Sequence, residues 1–149
     1  MTTAPNLDLA RVTPDSFAAL HRLAADTGAR AQDAGLAPGL VELVRLRASQ
    51  LNGCGYCQAL HTRQAAELGE DEQRLADLAR WPQSAAFTDA ERAALRLTEA
   101  LTRVDGRGVD DEIRAAAEHF GEAELAGLLW TIALIGVYNR LAIGSGLTG

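Results

Sequence analysis

The run from Leu125 to Asn139, LAGLLWTIALIGVYN, is 15 residues long and carries no charge. Its apolar residues, with Leu141 and Ile143 beyond it, do not keep to one stripe. Leu125, Leu128, Leu129, Trp130, Ile132, Leu134, Ile135, Val137 and Tyr138 go round the whole of a helix. A helix apolar on all sides has to be covered on all sides. Either the other helices of the subunit enclose it or a second subunit covers part of it, and the second is the simpler expectation. A membrane span is not expected, because it needs about 20 apolar residues and Arg140 ends the run. The expectation is a soluble homo-oligomer.

At 149 residues the chain suits one domain, 1–149, burying about 68–70% of its unfolded surface without help from disulfides or metal. The 14 Lys and Arg are outnumbered by 20 Asp and Glu, giving a net charge of -6. The basic residues are scattered, which argues against a nucleic-acid partner. MTTAPNLDLAR lacks the basic start and apolar run of a secretory signal, so a cytoplasmic, reducing location is expected.

Turn and cap signals divide the rest into helices. Residues 1–12 read as an arm, and Thr13 and Pro14 as the N-cap and first position of a helix with its stripe at Phe17, Leu20, Leu23 and Ala24. Pro38 opens a second helix to about Leu51, with a stripe of Leu40, Leu43, Val44, Arg47 and Leu51. Asn52-Gly53 is a turn. It leads into a helix from near Cys54 to before Gly69. Asp71 to Trp81 predicts a short helix stopped by Pro82. Thr88-Asp89-Ala90-Glu91 is a capping box for a helix to about Arg103. Asp110 or Asp111 caps a helix to Phe120, and the last helix runs from Glu122 to about Ile143. No segment alternates with period two between turn signals. The fold class is therefore all-α, a bundle of about six helices.

Chemistry concentrates at Cys54 and Cys57. In a helix, Cys57 and His61 lie one turn apart, which brings a thiol and a base together. The start of a helix also favours thiolate over thiol, and that effect alone favours Cys54. A lone Cys-x-x-Cys is compatible with redox chemistry, a metal site or packing. Haem attachment needs His after the second cysteine, where Gln58 stands. A zinc site needs a second ligand pair, which only a coincidence of folding at His21 and His119 could complete. A thioredoxin motif needs a βαβ setting.

Glu42, Cys54 twelve residues on, Cys57 and His61, with Ser49, Asn52-Gly53 and Tyr56 between them, resemble the AhpD-like branch of the carboxymuconolactone decarboxylase family. Thr88 to Leu95 and Leu134 to Leu141 resemble its later helices, so the likeness covers the chain from about Leu36. It implies an all-helical subunit assembled as a trimer or hexamer, with peroxidase and disulfide-reductase activity. Carried over, Cys57 is the thiolate that attacks a hydroperoxide, Cys54 the resolving thiol, and Glu42 and His61 a proton relay. Ser49 and Asn52 are possible supporting residues. Tyr56 stands where well-studied alkylhydroperoxidases have histidine, and offers a hydroxyl instead. No cofactor or metal is implied. Electrons come from an external dithiol, a lipoyl or thioredoxin-like protein. Two other readings are a decarboxylase acting on a small lactone acid, which needs no cysteine pair, and a redox-sensing module that forms the disulfide without turnover. On this reading Glu42 and His61 move protons, and their exchange costs rate with little effect on melting.

Overall fold

The structure, a computed structural model, describes residues 6–147. Among them are eight α-helices and no strand: α1 (Leu9–Val12), α2 (Pro14–Asp33), α3 (Pro38–Leu51), α4 (Gly55–Glu67), α5 (Glu72–Asp77), α6 (Asp89–Arg103), α7 (Val109–Ala117) and α8 (Glu122–Gly144). A 3₁₀ stretch, Leu78–Gln83, follows α5. The all-α expectation holds, with more helices than about six. The expected arm at 1–12 lies outside the described residues at 1–5, and its far end forms α1, whose first turn Asp8 caps by accepting from the Arg11 N–H. Thr13 precedes α2 as expected but does not cap it, and its hydroxyl donates instead to the Leu9 carbonyl at 3.0 Å.

The boundaries of α3 follow from backbone chemistry. Pro38 occupies the first turn, where its missing N–H costs nothing. The far end closes as a Schellman motif: Gly53, at φ +67°, donates to Gln50, and Cys54 donates to Ser49 at 3.0 Å. Glycine takes that left-handed conformation without a Cβ penalty. The same turn makes Cys54 the N-cap of α4, its sulfur accepting from the Cys57 N–H at 3.3 Å. The Thr88 and Glu91 capping box is present in α6. In α7 the cap is Gly108, and Asp110, Asp111 and Glu112 fall in the first turn, where they complement the positive helix end. The segment read as one helix to Trp81 tightens to 3₁₀ geometry before Pro82, burying Trp81.

The enclosed helix is α3, not α8. It packs against α4, α6 and α8. Leu40, Leu43, Val44, Leu46, Ala48 and Ser49 are all buried, whereas Leu51, expected in its stripe, is exposed. One apolar cluster joins α2, α3, α6, α7 and α8 through Ala31, Val44, Leu97, Ala116 and Leu128. A second lies under the 3₁₀ stretch, around Leu43, Leu78, Trp81 and Leu95. By length and composition α8 is apolar enough to cross a membrane, but half of that window is buried in the bundle. Its Asn139 is fully buried, donating to Ser49 Oγ and accepting from Asn52 Nδ2, each at 3.0 Å. Leu129, Trp130, Val137 and Ile143 lie exposed on the outer side.

Helix α8 approaches α2 so closely that a Cβ built on Gly127 would stand 2.9 Å from Ala31 Cβ. Gly127→Val is expected to lower unfolding stability by about 1–3 kcal/mol through overpacking, read from urea denaturation. An unchanged midpoint would show that the two helices part without cost.

Candidate active site

Helix α4 starts at the turn that α3 ends on, so their side chains meet across a short corner. Glu42, on the enclosed helix, has to be paired, since burying an unpaired carboxylate is costly. It has two partners: Oε2 lies 2.8 Å from His61 Nδ1, and Oε1 accepts from Arg45 Nη1 at 2.6 Å. Burial pushes the Glu42 carboxyl up, but the hydrogen bond with His61 and the nearby Arg45 charge outweigh it. The group is held below its ordinary range.

Cys54 and Cys57 are joined as a disulfide with Cα atoms 5.3 Å apart. Both are buried, Cys54 1% and Cys57 4% exposed, and they pack against Ala142 of α8. A cavity of about 650 Å³ lies beside them. Cys57 and His61 line it, as do Arg45 and Tyr56, while Cys54 does not. The rest of the lining is mostly apolar, with Leu134, Ile135 and Leu141 of α8 and Phe17 of α2, and residues 6–10 also contribute. Among its polar residues is a pair: Tyr138 hydroxyl and His21 Nδ1 are 3.1 Å apart, and burial pushes the Tyr138 phenol up.

The structure therefore brings Glu42, Cys54, Cys57 and His61 to one corner. Tyr56 is exposed at the cavity edge. Ser49 and Asn52 turn away to Asn139, and they tie α3 to α8 behind the cysteines. Of the two remaining histidines, His21 lines the cavity and His119 stacks edge-on with Phe120 on α7's end of the fold. Sequence reasoning passed over Arg45, although an opposite charge three residues after Glu42 is a readable helix pair. The Tyr138 and His21 pairing, 117 residues apart in the chain, left no local signal.

The burial of Glu42 corrects the expectation that it serves protons alone, because its removal leaves His61 and Arg45 short of a buried acceptor. Its folded-state pKa is depressed, so its contribution is present above the unfolded carboxylate range and disappears as pH falls through the lower folded value. Glu42→Gln is expected to be less stable than the parent at pH 7, and the gap should shrink as the solution is acidified below that range. Urea midpoints of both proteins from pH 7 downwards check this. A gap that stays constant with pH would mean that the carboxylate charge contributes nothing.

Residues 14–100 match the carboxymuconolactone decarboxylase family. The uncharacterized protein YdfG of Bacillus subtilis is 37% identical over 106 residues, 70% of this chain and 72% of YdfG. The uncharacterized protein YnjA of Escherichia coli is 36% identical over 108 residues, which span 72% of this chain and 57% of YnjA. The crystal structure of ATU0492 of Agrobacterium tumefaciens, a protein of unknown function suggested to be the antioxidant defence protein AhpD, is similar throughout. It superposes with a TM-score of 0.88 at 29% identity and covers 97% of each chain. The family match over more than half of the sequence, and this likeness along nearly all of it, make the chain a member of the carboxymuconolactone decarboxylase family, in its AhpD-like branch.

Proposed function

We propose that this protein is a thiol-dependent peroxidase that reduces hydroperoxides by cycling Cys54 and Cys57 between dithiol and disulfide. The observation that carries the reading is the side of the disulfide that meets the cavity. Cys57 lines it together with His61, and His61 is held from behind by ionised Glu42. In the reduced protein His61 takes the Cys57 proton, and the thiolate attacks the terminal peroxide oxygen. The O–O bond breaks, the departing alkoxide takes the proton back, and an alcohol leaves. Cys57 is then a sulfenic acid. The Cys54 sulfur attacks it, water carries away the hydroxyl with the Cys54 proton, and the disulfide closes. Two electrons have passed from the thiols to the peroxide. The cycle uses no flavin, haem or metal.

An external dithiol restores the pair. Its thiolate attacks the Cys57 sulfur, Cys54 leaves and is protonated, and the second thiol resolves the mixed disulfide. A disulfide that closes so short a loop gains little from loop entropy and exchanges readily once reached, but both cysteines are nearly fully buried. This favours a slender dithiol such as a lipoyl arm over a folded thioredoxin-like surface. A reducing cytoplasm suits such a transient, catalytic disulfide.

Steady-state peroxide reduction with dithiothreitol, lipoyl and thioredoxin donors tests the cycle. Cys57→Ser is expected to abolish turnover, and Cys54→Ser to leave a single attack without regeneration. His61→Asn should lose about 10²–10⁴-fold in rate. A Cys57→Ser protein that still processes a lactone acid at full rate would favour decarboxylation instead.

The protein is further proposed to be a homo-oligomer, a trimer or hexamer. Leu129, Trp130, Val137 and Ile143 on the outer side of α8, with Val104 nearby in sequence to α6, support this by their exposure. Light scattering at micromolar concentration should give a multiple of 15.8 kDa. A mass of one subunit would refute it.

A further inference from the structure

Glu42 is held by three parties: its own burial, His61 on α4, and Arg45 one turn along α3. The state of the carboxyl decides the state of the imidazole. An ionised carboxylate offers only lone pairs, so the His61 nitrogen facing it has to bear the hydrogen. In a neutral ring that leaves Nε2 bare and able to accept a proton. A protonated Glu42 reverses the arrangement. Its O–H donates to Nδ1, the ring hydrogen moves to Nε2, and His61 no longer accepts a proton there.

Burial drives Glu42 towards the protonated form, so the useful tautomer needs a counter-charge. At the carboxylate itself α4 contributes His61, whereas Tyr138 of α8 and His21 of α2, bonded to each other, share with Arg45 the lining of the cavity. Where α6 packs on α3, Glu99 is taken up by Arg47 and by the Trp81 indole N–H, at 2.9 and 2.8 Å. Arg140 of α8 donates to its own helix at Gly136. The permanent cation bonded to Glu42 is Arg45, and its side chain also lines the cavity.

We infer that Arg45 is a positioning residue for His61: by holding Glu42 as a carboxylate it fixes the imidazole with hydrogen on Nδ1 and a lone pair on Nε2. The use made of that lone pair rests on the peroxidase reading, but the tautomer does not. Arg45 need touch neither peroxide nor sulfur to act. Its loss harms the base through Glu42.

Ring ¹⁵N shifts of His61, assigned by their absence from His61→Asn, report the tautomer directly. Carboxyl ¹³C shifts report the titration of Glu42. In the parent protein at neutral pH, His61 is expected to carry hydrogen on Nδ1. In Arg45→Gln the midpoint of Glu42 should rise and His61 should become a mixture of tautomers. Arg45→Lys, which keeps the charge, should restore both. Peroxide kcat/KM should fall about tenfold or more in Arg45→Gln, with the acid limb of its pH profile moved upwards. Hydrogen on Nε2 in the parent overturns the inference without recourse to any variant. An Arg45→Gln protein that keeps the Nδ1–H tautomer and an unmoved Glu42 midpoint overturns it too. Neither spectrum depends on turnover, so a protein inactive on peroxides but with the expected shifts would sink the proposed function and leave Arg45 in this role.

Discussion

The bond between Glu42 and His61 is the constraint from which the active corner is built. It joins the most enclosed helix, α3, to the helix that carries the cysteines, α4. A carboxylate on α3 is tolerable only where partners meet it, and that need fixes the rotation of α4 about its own axis. Once His61 faces Glu42, Cys57 one turn earlier shares its side of the helix. The proposed relay and the scaffold rest on the same interaction.

Behind this corner a second polar contact keeps the distance between α3 and α8. Asn139 closes the uncharged run of α8 with a polar amide, and both ends of that amide are bonded, to Ser49 and to Asn52. A buried amide without partners would cost about 1–3 kcal/mol. The pairing thus selects the register at which α8 lies along α3, and with it the place where Ala142 meets the disulfide. Apolar packing alone would have allowed several registers for so uniform a helix.

Much of the helix plan was legible because proline, glycine and capping residues act locally. Pro38, Asn52-Gly53 and the Thr88 capping box mark ends that the structure reproduces closely. The identity of the most enclosed helix was not legible. Glu42, Arg45 and Arg47 make α3 look half exposed, and their burial is tolerable only through Glu42 with His61, 19 residues on, and Arg47 with Glu99, 52 residues on. For the last helix the all-round apolarity is unmistakable, but how much of it the subunit itself covers was not legible, and several of its side chains face outwards. Of the site, the four spaced residues could be read from the sequence. The Tyr138 and His21 pair could not, because only packing brings α8 to α2.

The backbone N–H of Leu7 donates to the carbonyl of Ser145 at 3.2 Å. That bond lays the two ends of the described residues side by side at the cavity, since Asn6, Leu7, Ser145 and Leu147 all line it. Neighbouring ends are the geometry that permits circular permutation. A short linker can join them, and the chain can be reopened at the exposed Asp105-Gly106-Arg107 loop, leaving Glu42 through His61 in one unbroken segment. Such a rearranged protein would have its free ends at residues that do not line the cavity, and would keep every buried bond of the corner around Glu42.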